Sequence, residues 1–321
     1  MTEVVQGVHR IEAEVGGRPL HLFLFLGERR LLLDAGCAST VDEYIVPALA
    51  ELGLGPVDLD LLLITHCDVD HQGGTHGLRQ ANPSLWVCCG RLDVPLVSDP
   101  AALIAERYHA YVADHGISPD DATVAWMHEE AGEAERVDLG LVGGEVIGLG
   151  SGWNLRVLHV PGHSPGHLAV YDERSGALFS ADCLQGSVYL GLDGSPKLCP
   201  TYTHVEEYLA TAALVESLAP AELYGSHWPV QRGPEVFAFI DESRDYVHRL
   251  DELVGSSLDA QPLTLAALIE QVNQRLDRPW PPELRGELVY SLPGHAQWLI
   301  ARGLAASGRD GDGRIVYGLA R

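Results

Sequence analysis

The first third of the chain is patterned as strands. GVHRIEAEV, PLHLFLFLG and RRLLLDAG are short alternating or continuous apolar runs, each set off by Gly. VDEYIVPALAELGL carries an apolar face at helical spacing. VDLDLLLITH, residues 57–66, is a continuous apolar run that ends in polar residues. Such a run predicts a strand buried on both faces, with a site at its C-terminal end. Residues 92–131 read as irregular helix. NLRVLHVPGH, HLAVYDE and GALFSADC restore the strand pattern, HVEEYLATAALVESL is an amphipathic helix, and AELYGSHWP is a short strand running into a loop. Strands and helices thus arrive in two successive batches, each with its own polar strand ends. This predicts two sheets packed face to face with helices outside.

After Pro229 the texture changes. PEVFAFIDESRDYVHRLDELV, PLTLAALIEQVNQRL and RGELVYSLPGHAQWLIARGLA read as three helices, and SGRDGDGRIVYGLA as a turn between short β segments. Three helices and a hairpin form a winged-helix pattern, so a first domain is expected over 1–231 and a small second one over 232–321.

Composition narrows the function classes. With 321 residues, 46% of them apolar, the chain can bury a substantial core. It has no run of the roughly 18 apolar residues that a membrane span needs. The start, MTEVVQGVHR, lacks the apolar core of a secretory signal, so a cytoplasmic location is expected. The formal net charge of −24 repels phosphate backbones and anionic membranes, which makes nucleic acid an unlikely partner. The second domain shares this balance, with 10 Arg against 13 Asp and Glu over 232–321. It is therefore expected to pack on the first domain, shape its pocket or form a homodimer. Six cysteines without CxxC or framework spacing read as reduced thiols.

The chemistry concentrates in THCDVDHQGG, residues 65–74, which places His66, Asp68, Asp70 and His71 on one loop. VPGHSPGH adds His163, FSADC adds Asp182 and YGSHWP adds His227, each after a strand. Burying so many ionisable groups without partners or metal would be very costly. Seven nitrogen and oxygen donors on four strand-end loops suit a two-metal hydrolytic site, with Zn²⁺ favoured and Fe or Mn possible. Asp182 is suited to bridge two ions, and Asp70 or Asp182 to hold and deprotonate the attacking water.

At these residues the chain resembles the metallo-β-lactamase fold superfamily. LLLDAG with Asp34, THCDVDHQGG, GHSPGH, SADC and GSHWP follow in that family's order over roughly residues 5–230. The resemblance implies an α/β fold, the αββα sandwich, here with a small helical, winged-helix-like C-terminal domain. It implies His66 and His163 as ligands of a first metal, Asp70, His71 and His227 as ligands of a second, and Asp182 as the bridge. One position departs from the family's His-x-His-x-Asp-His: the second histidine is Asp68. Asp68 either ligates the first metal, or marks a diiron branch, or misses the metal and leaves that site weak.

Around the site, Asp34 and His167 are read as orienting groups and His76 as a solvated helix residue. Cys67 and Cys183 are read as core. Tyr202 is placed where it could bond a substrate oxyanion, with a capping box of Thr203 and Glu206 as the structural alternative. Tyr108, Tyr111, Trp126 and Met127 are candidates for the pocket wall. The expected activity is attack of a metal-bound hydroxide on a small-molecule ester, thioester or lactone. A diiron oxidoreductase or oxygenase and a non-catalytic ligand sensor are the alternatives.

Overall fold

The computed structural model describes residues 1–258 and 261–320. Residues 259, 260 and 321 of the expected second domain lie outside the described residues. The first sheet runs β1 (Thr2–Val5), β2 (Val8–Val15), β3 (Arg18–Leu26), β4 (Arg30–Leu33), β5 (Leu61–Ile64), β6 (Trp86–Gly90) and β7 (Leu139–Leu141), in sequence order. Its first four strands are antiparallel, and β4 to β7 pair in parallel. The second sheet uses β8 (Val146–Gly150), β9 (Trp153–His159), β10 (Leu168–Asp172), β11 (Ala177–Ala181), β14 (Glu222–Gly225) and β15 (Gln231–Arg232), ordered β15-β14-β11-β10-β9-β8. Between β11 and β14 a separate hairpin, β12 (Tyr189–Leu190) and β13 (Pro196–Leu198), leads into the helix Val205–Leu218.

The leucine-rich runs look continuous because both faces of the first sheet are covered. Phe23, Phe25, Leu31, Leu33 and Leu63 point between the sheets, where they meet Leu155, Val157, Val170 and Phe179. The alternate residues Leu22, Leu24, Leu32, Leu62 and Ile64 point outward onto Val41, Ile45, Leu49 and Leu78. Phe179 centres the inter-sheet layer, with the ring centroids of Phe23, Phe25 and Tyr224 each 4.9 Å from its own. The outer face of the second sheet is covered by Ala212, Val215, Val236 and Ile240. The result is the expected αββα layering. Cys67 and Cys183 are buried in its outer layers, as expected.

The C-terminal elements keep their expected order. A long helix (Pro234–Ser257) is followed by β16 (Leu263–Thr264), a helix (Leu265–Arg275), a helix (Ser291–Ala301) and the hairpin β17 (Ala305–Arg309) and β18 (Ile315–Leu319). The segment expected as one helix from residue 285 divides into a 3-10 turn, Arg285–Val289, and the helix from Ser291. Pro293 sits in that helix's first turn, where a missing N–H leaves no bond unmade. These helices close over Cys199, Tyr202, Val205 and Tyr208 of the preceding region. Among the described residues no helix is long and apolar enough to cross a membrane.

Parallel pairing positions the functional edge. β4 runs with β5, and β11 with β14, so each pair ends on the same side. The turn after β5 is packed backbone to backbone: a Cβ on Gly73 would lie 2.1 Å from the Glu130 carbonyl oxygen and 2.8 Å from that of Val69. Gly73→Ala is expected to destabilise the fold by about 1–3 kcal/mol in denaturant unfolding, because backbone atoms cannot yield as side chains do. Gly77→Ala, whose Cβ would meet only Val41 at 3.6 Å or beyond, serves as the helical control and should leave stability equal or slightly higher.

Candidate metal centre

The ends of these strands bring the expected donors together. Asp34 follows β4 with a φ of +66°, and Ala181 before Asp182 has a φ of +44°. Both are strained positions for a side chain, and both turn a carboxylate into the site. His66, His71, His163, Asp182 and His227 are buried. Three donor groups have atoms within 4.8 Å of one another: His66, Asp68 and His163; His66, His71 and Asp182; Asp70, His71 and His227.

Hydrogen bonds at the far nitrogens decide what each imidazole presents to the centre. Nδ1 of His71 donates to Oδ2 of Asp34 at 2.9 Å, which turns Nε2, without a hydrogen-bond partner, toward the centre. Nδ1 of His227 donates to the Pro19 carbonyl at 2.7 Å, and Nε2 faces Asp70 and Asp182, each at 3.4 Å. The Thr65 hydroxyl donates to Asp34 at 2.9 Å, so it accepts from Nδ1 of His66 at 3.0 Å. Nε2 of His66 is then also bare and unpartnered. Oδ1 of Asp182 is buried without a partner, while its Oδ2 accepts from the Tyr189 hydroxyl at 3.0 Å. Orphaned lone pairs aimed at one point are what a cation would satisfy. The residues Asp70, His71, Asp182 and His227 fit a divalent metal.

Electrostatics agree. Burial holds His66 well below the usual imidazole range, with His71 and His167 adding to it, and burial likewise lowers His227. Burial would raise Asp70, but His71 and His227 outweigh it and keep the carboxyl low. His71 is the exception: burial disfavours its charge, yet Asp34, Asp70 and Asp182 push it up to about 10.

Asp68 is differently engaged. Its Oδ2 accepts from Nη2 of Arg107 and from Nε2 of His163, both at 2.9 Å, and its Oδ1 is paired with Nε of Arg107. The Tyr108 hydroxyl donates to Oδ1 at 3.3 Å. Burial alone would raise Asp68, but Arg107 and His163 hold it well below the usual carboxylate range.

Tyr202 lies elsewhere. It is fully buried, and its hydroxyl is 2.8 Å from Nε2 of His295 in the C-terminal packing. The placement over the metals is therefore corrected: the chain turns Tyr202 inward because the C-terminal helices cover it. The capping box is absent too. The helix starts at Val205 with His204 as its cap residue and no side-chain cap bond, and the Thr203 hydroxyl bonds the His163 carbonyl at 3.3 Å. His76 lies 3.6 Å from Glu133 and 3.5 Å from Glu135, a partly covered rather than solvated residue. His167 stacks on His66 with ring centroids 4.5 Å apart.

The donors floor a cavity of about 560 Å³. Tyr108, Tyr111, Trp126 and Met127 line it as expected, joined by Tyr290 from the C-terminal unit. Arg18, Arg107 and Tyr189 also reach it and were not read from the sequence. Nothing in the spacing of Arg107 marks it. Its only signal is a basic residue in the 92–131 insertion of an acidic chain.

Residues 21–227 match the family model of the metallo-beta-lactamase superfamily. The chain belongs to this superfamily. A metallo-beta-lactamase family protein of Thermus thermophilus superposes with a TM-score of 0.76 at 20% identity, over 99% of this chain and 100% of that one. The likeness is one of fold, and it extends over the C-terminal unit. A beta-lactamase-like protein 2 homolog of Drosophila melanogaster is 26% identical over 212 residues, 65% of this chain and 58% of its own length. The acyl-coenzyme A thioesterase MBLAC2 of Gallus gallus is 28% identical over 202 residues, 61% of this chain and 66% of its own. The chain thus spans under two thirds of the length of either of these relatives.

Two outcomes follow for this metallo-beta-lactamase superfamily site. Asn tolerates the Asp34 backbone but sets an NH₂ against the imidazole N–H. Asp34→Asn should therefore weaken zinc binding by about 10–100-fold in chelator competition. Because His71 must lose its proton to bind, uptake should release about one proton per ion. Affinity should rise about tenfold per pH unit below about pH 10, as titration calorimetry in buffers of different ionisation enthalpy will show.

Proposed function

We propose that the chain is a metal-dependent hydrolase of small-molecule esters, thioesters or lactones. The observation that carries this reading is the convergence of bare imidazole nitrogens and ionised carboxylates at the floor of an aromatic-walled cavity. A divalent ion held by Asp70, His71, Asp182 and His227, zinc by the donor chemistry, supplies Lewis acidity toward an acyl carbonyl and toward water. Asp70, kept ionised by His71 and His227, is placed to take the proton of the attacking water and pass it to the departing oxygen or sulfur. Tyr189 keeps one oxygen of Asp182 engaged, which fixes the direction of the other. Tyr108, Tyr111, Trp126 and Tyr290 offer an apolar wall to the acyl portion.

The cavity lining narrows the substrate. Asp120, Glu283 and Glu287 line it along with the aromatic residues. These carboxylates disfavour a polyphosphate leaving group such as that of the coenzyme A thioesters named for the chicken relative. Compact esters and lactones, and thioesters of uncharged thiols, fit better. The diiron alternative rested on Asp68 as an iron ligand, and the pairing of Asp68 with Arg107 counts against that role. The unpartnered donors opening on a cavity likewise favour chemistry over a sensor role.

A panel of aryl esters, short thioesters and lactones tests the reading on the zinc-loaded chain. Turnover of at least one class is expected, lost on chelation and restored by zinc. Asp70→Asn should lower kcat/KM by about 10²-fold or more when assayed with zinc in excess, and weaken zinc binding as well. Absence of turnover across all three classes by metal-replete protein overturns the proposal.

A further inference from the structure

The donor groups at the two ends of the centre are not equivalent. At one end Asp34 and the Pro19 carbonyl hold the Nδ1–H of His71 and His227, so that Nε2 is the atom each ring can offer a metal. At the other, His163 presents a proton. The Thr201 backbone N–H donates to Oε1 of Gln185 at 2.7 Å, and Nε2 of Gln185 donates to the Asp182 carbonyl at 3.2 Å. These two bonds fix which end of the Gln185 amide is NH₂. That NH₂ lies 2.9 Å from Nδ1 of His163, which must therefore accept. The ring proton then sits on Nε2 and points at Oδ2 of Asp68, 2.9 Å away. An imidazole whose Nε2 carries its proton has no lone pair there for a metal.

The carboxylate beside it is already matched. The Arg107 guanidinium grips both oxygens of Asp68, and its Nη1 reaches the His163 carbonyl at 3.3 Å. Nη2 of Arg107 and Nε2 of His163 lie 3.3 Å apart, both converging on Oδ2. The pair is nearly enclosed, with Arg107 8% and Asp68 16% exposed. Asp68 is where the family motif has histidine, and a planar carboxylate is what a guanidinium fork fits in two bonds. The turn Ile104–Tyr108 delivers Arg107 and Tyr108 together, and both bond Asp68.

We infer that the Arg107 guanidinium takes the place of a first metal ion, so that the chain binds a single ion, in the cage of Asp70, His71, Asp182 and His227. Arg107 is then a fixed cation at the wall of the cavity, held by Asp68 and the His163 carbonyl. The inference rests on the proposed function only in taking that one cage as a metal site.

The full chain is stripped with chelator, reloaded with excess Zn²⁺, desalted and analysed for metal. One zinc per chain is expected, with one anomalous peak, at His71 and His227. In long-range ¹H–¹⁵N spectra of the zinc-loaded chain, His163 should show the Nε2–H tautomer. Asp68→His with Arg107→Ala, which exchanges the ion pair for an imidazole and space, should raise the content to two. The wild-type measurements stand whether or not that variant folds. Two zinc ions in the wild-type chain, a single ion held by His66 and His163, or a metal-bound Nε2 on His163 overturns the inference. A chain that binds no zinc overturns it together with the metal-dependent reading. A chain with one zinc and no turnover leaves it standing and overturns only the proposed hydrolysis.

Discussion

A buried imidazole presents either a lone pair or a proton, and the group at its far nitrogen decides which. Everything at this sheet edge depends on that choice. Asp34 accepts the Nδ1–H of His71, the Pro19 carbonyl that of His227 and the Thr65 hydroxyl that of His66, so three Nε2 atoms converge. Gln185 makes the opposite choice for His163 and sends its proton inward. None of these four partners needs to touch a substrate or an ion. They govern the chemistry by setting where protons lie, and a low-dielectric interior makes each setting costly to reverse.

The scaffold makes those settings rigid. Asp34 receives the Thr65 N–H, the Thr65 hydroxyl and the His71 ring on one carboxylate, which couples the end of β4 to the end of β5. The same carboxylate therefore fixes loop geometry and ring tautomer together. Its left-handed backbone has a local cost, and three hydrogen bonds to an ionised acceptor offset it. In the second sheet, Ala181 bends the chain so that Asp182 leaves the plane of β11. His227 meets it there because β14 runs parallel to β11.

Most of the layering was legible in the chain because burial on two faces writes itself as continuous leucine and valine. LLLI after Asp60 reads as an inner strand for the same reason that Leu63 and Leu62 face opposite cores. The ligand-bearing turns were legible too, since charge at the end of an apolar run has few structural uses. What could not be read were pairings between distant elements. Arg107 meets Asp68 across 39 positions, and Gln185 meets His163 across 22, with no periodicity linking either pair. The odd acid in the motif was visible without its partner, so its role stayed open. Tyr202 was misplaced by the same limit: its surroundings come from helices that follow it by about thirty residues or more.

Those helices bear on partners as well as on shape. A three-helix unit with a hairpin invites a nucleic-acid reading, in which the third helix would enter a groove. Here Leu292, Gly294, His295, Ala296 and Leu299 of that helix are buried. Gly294 lies so near the Thr203 carbonyl that a Cβ would stand 2.3 Å from it. His295 contacts Tyr202 at 2.8 Å and Asp251 at 3.6 Å, and Asp251 pairs with Arg302, which follows the helix. The face that would read a base is thus occupied by the chain's own loop after β13. The preceding segment contributes Glu287 and Tyr290 to the cavity wall. Docking and pocket-building are consequences of one packing surface: the apolar side of a net-acidic segment faces inward, and Glu283, Glu287 and Tyr290 reach the cavity.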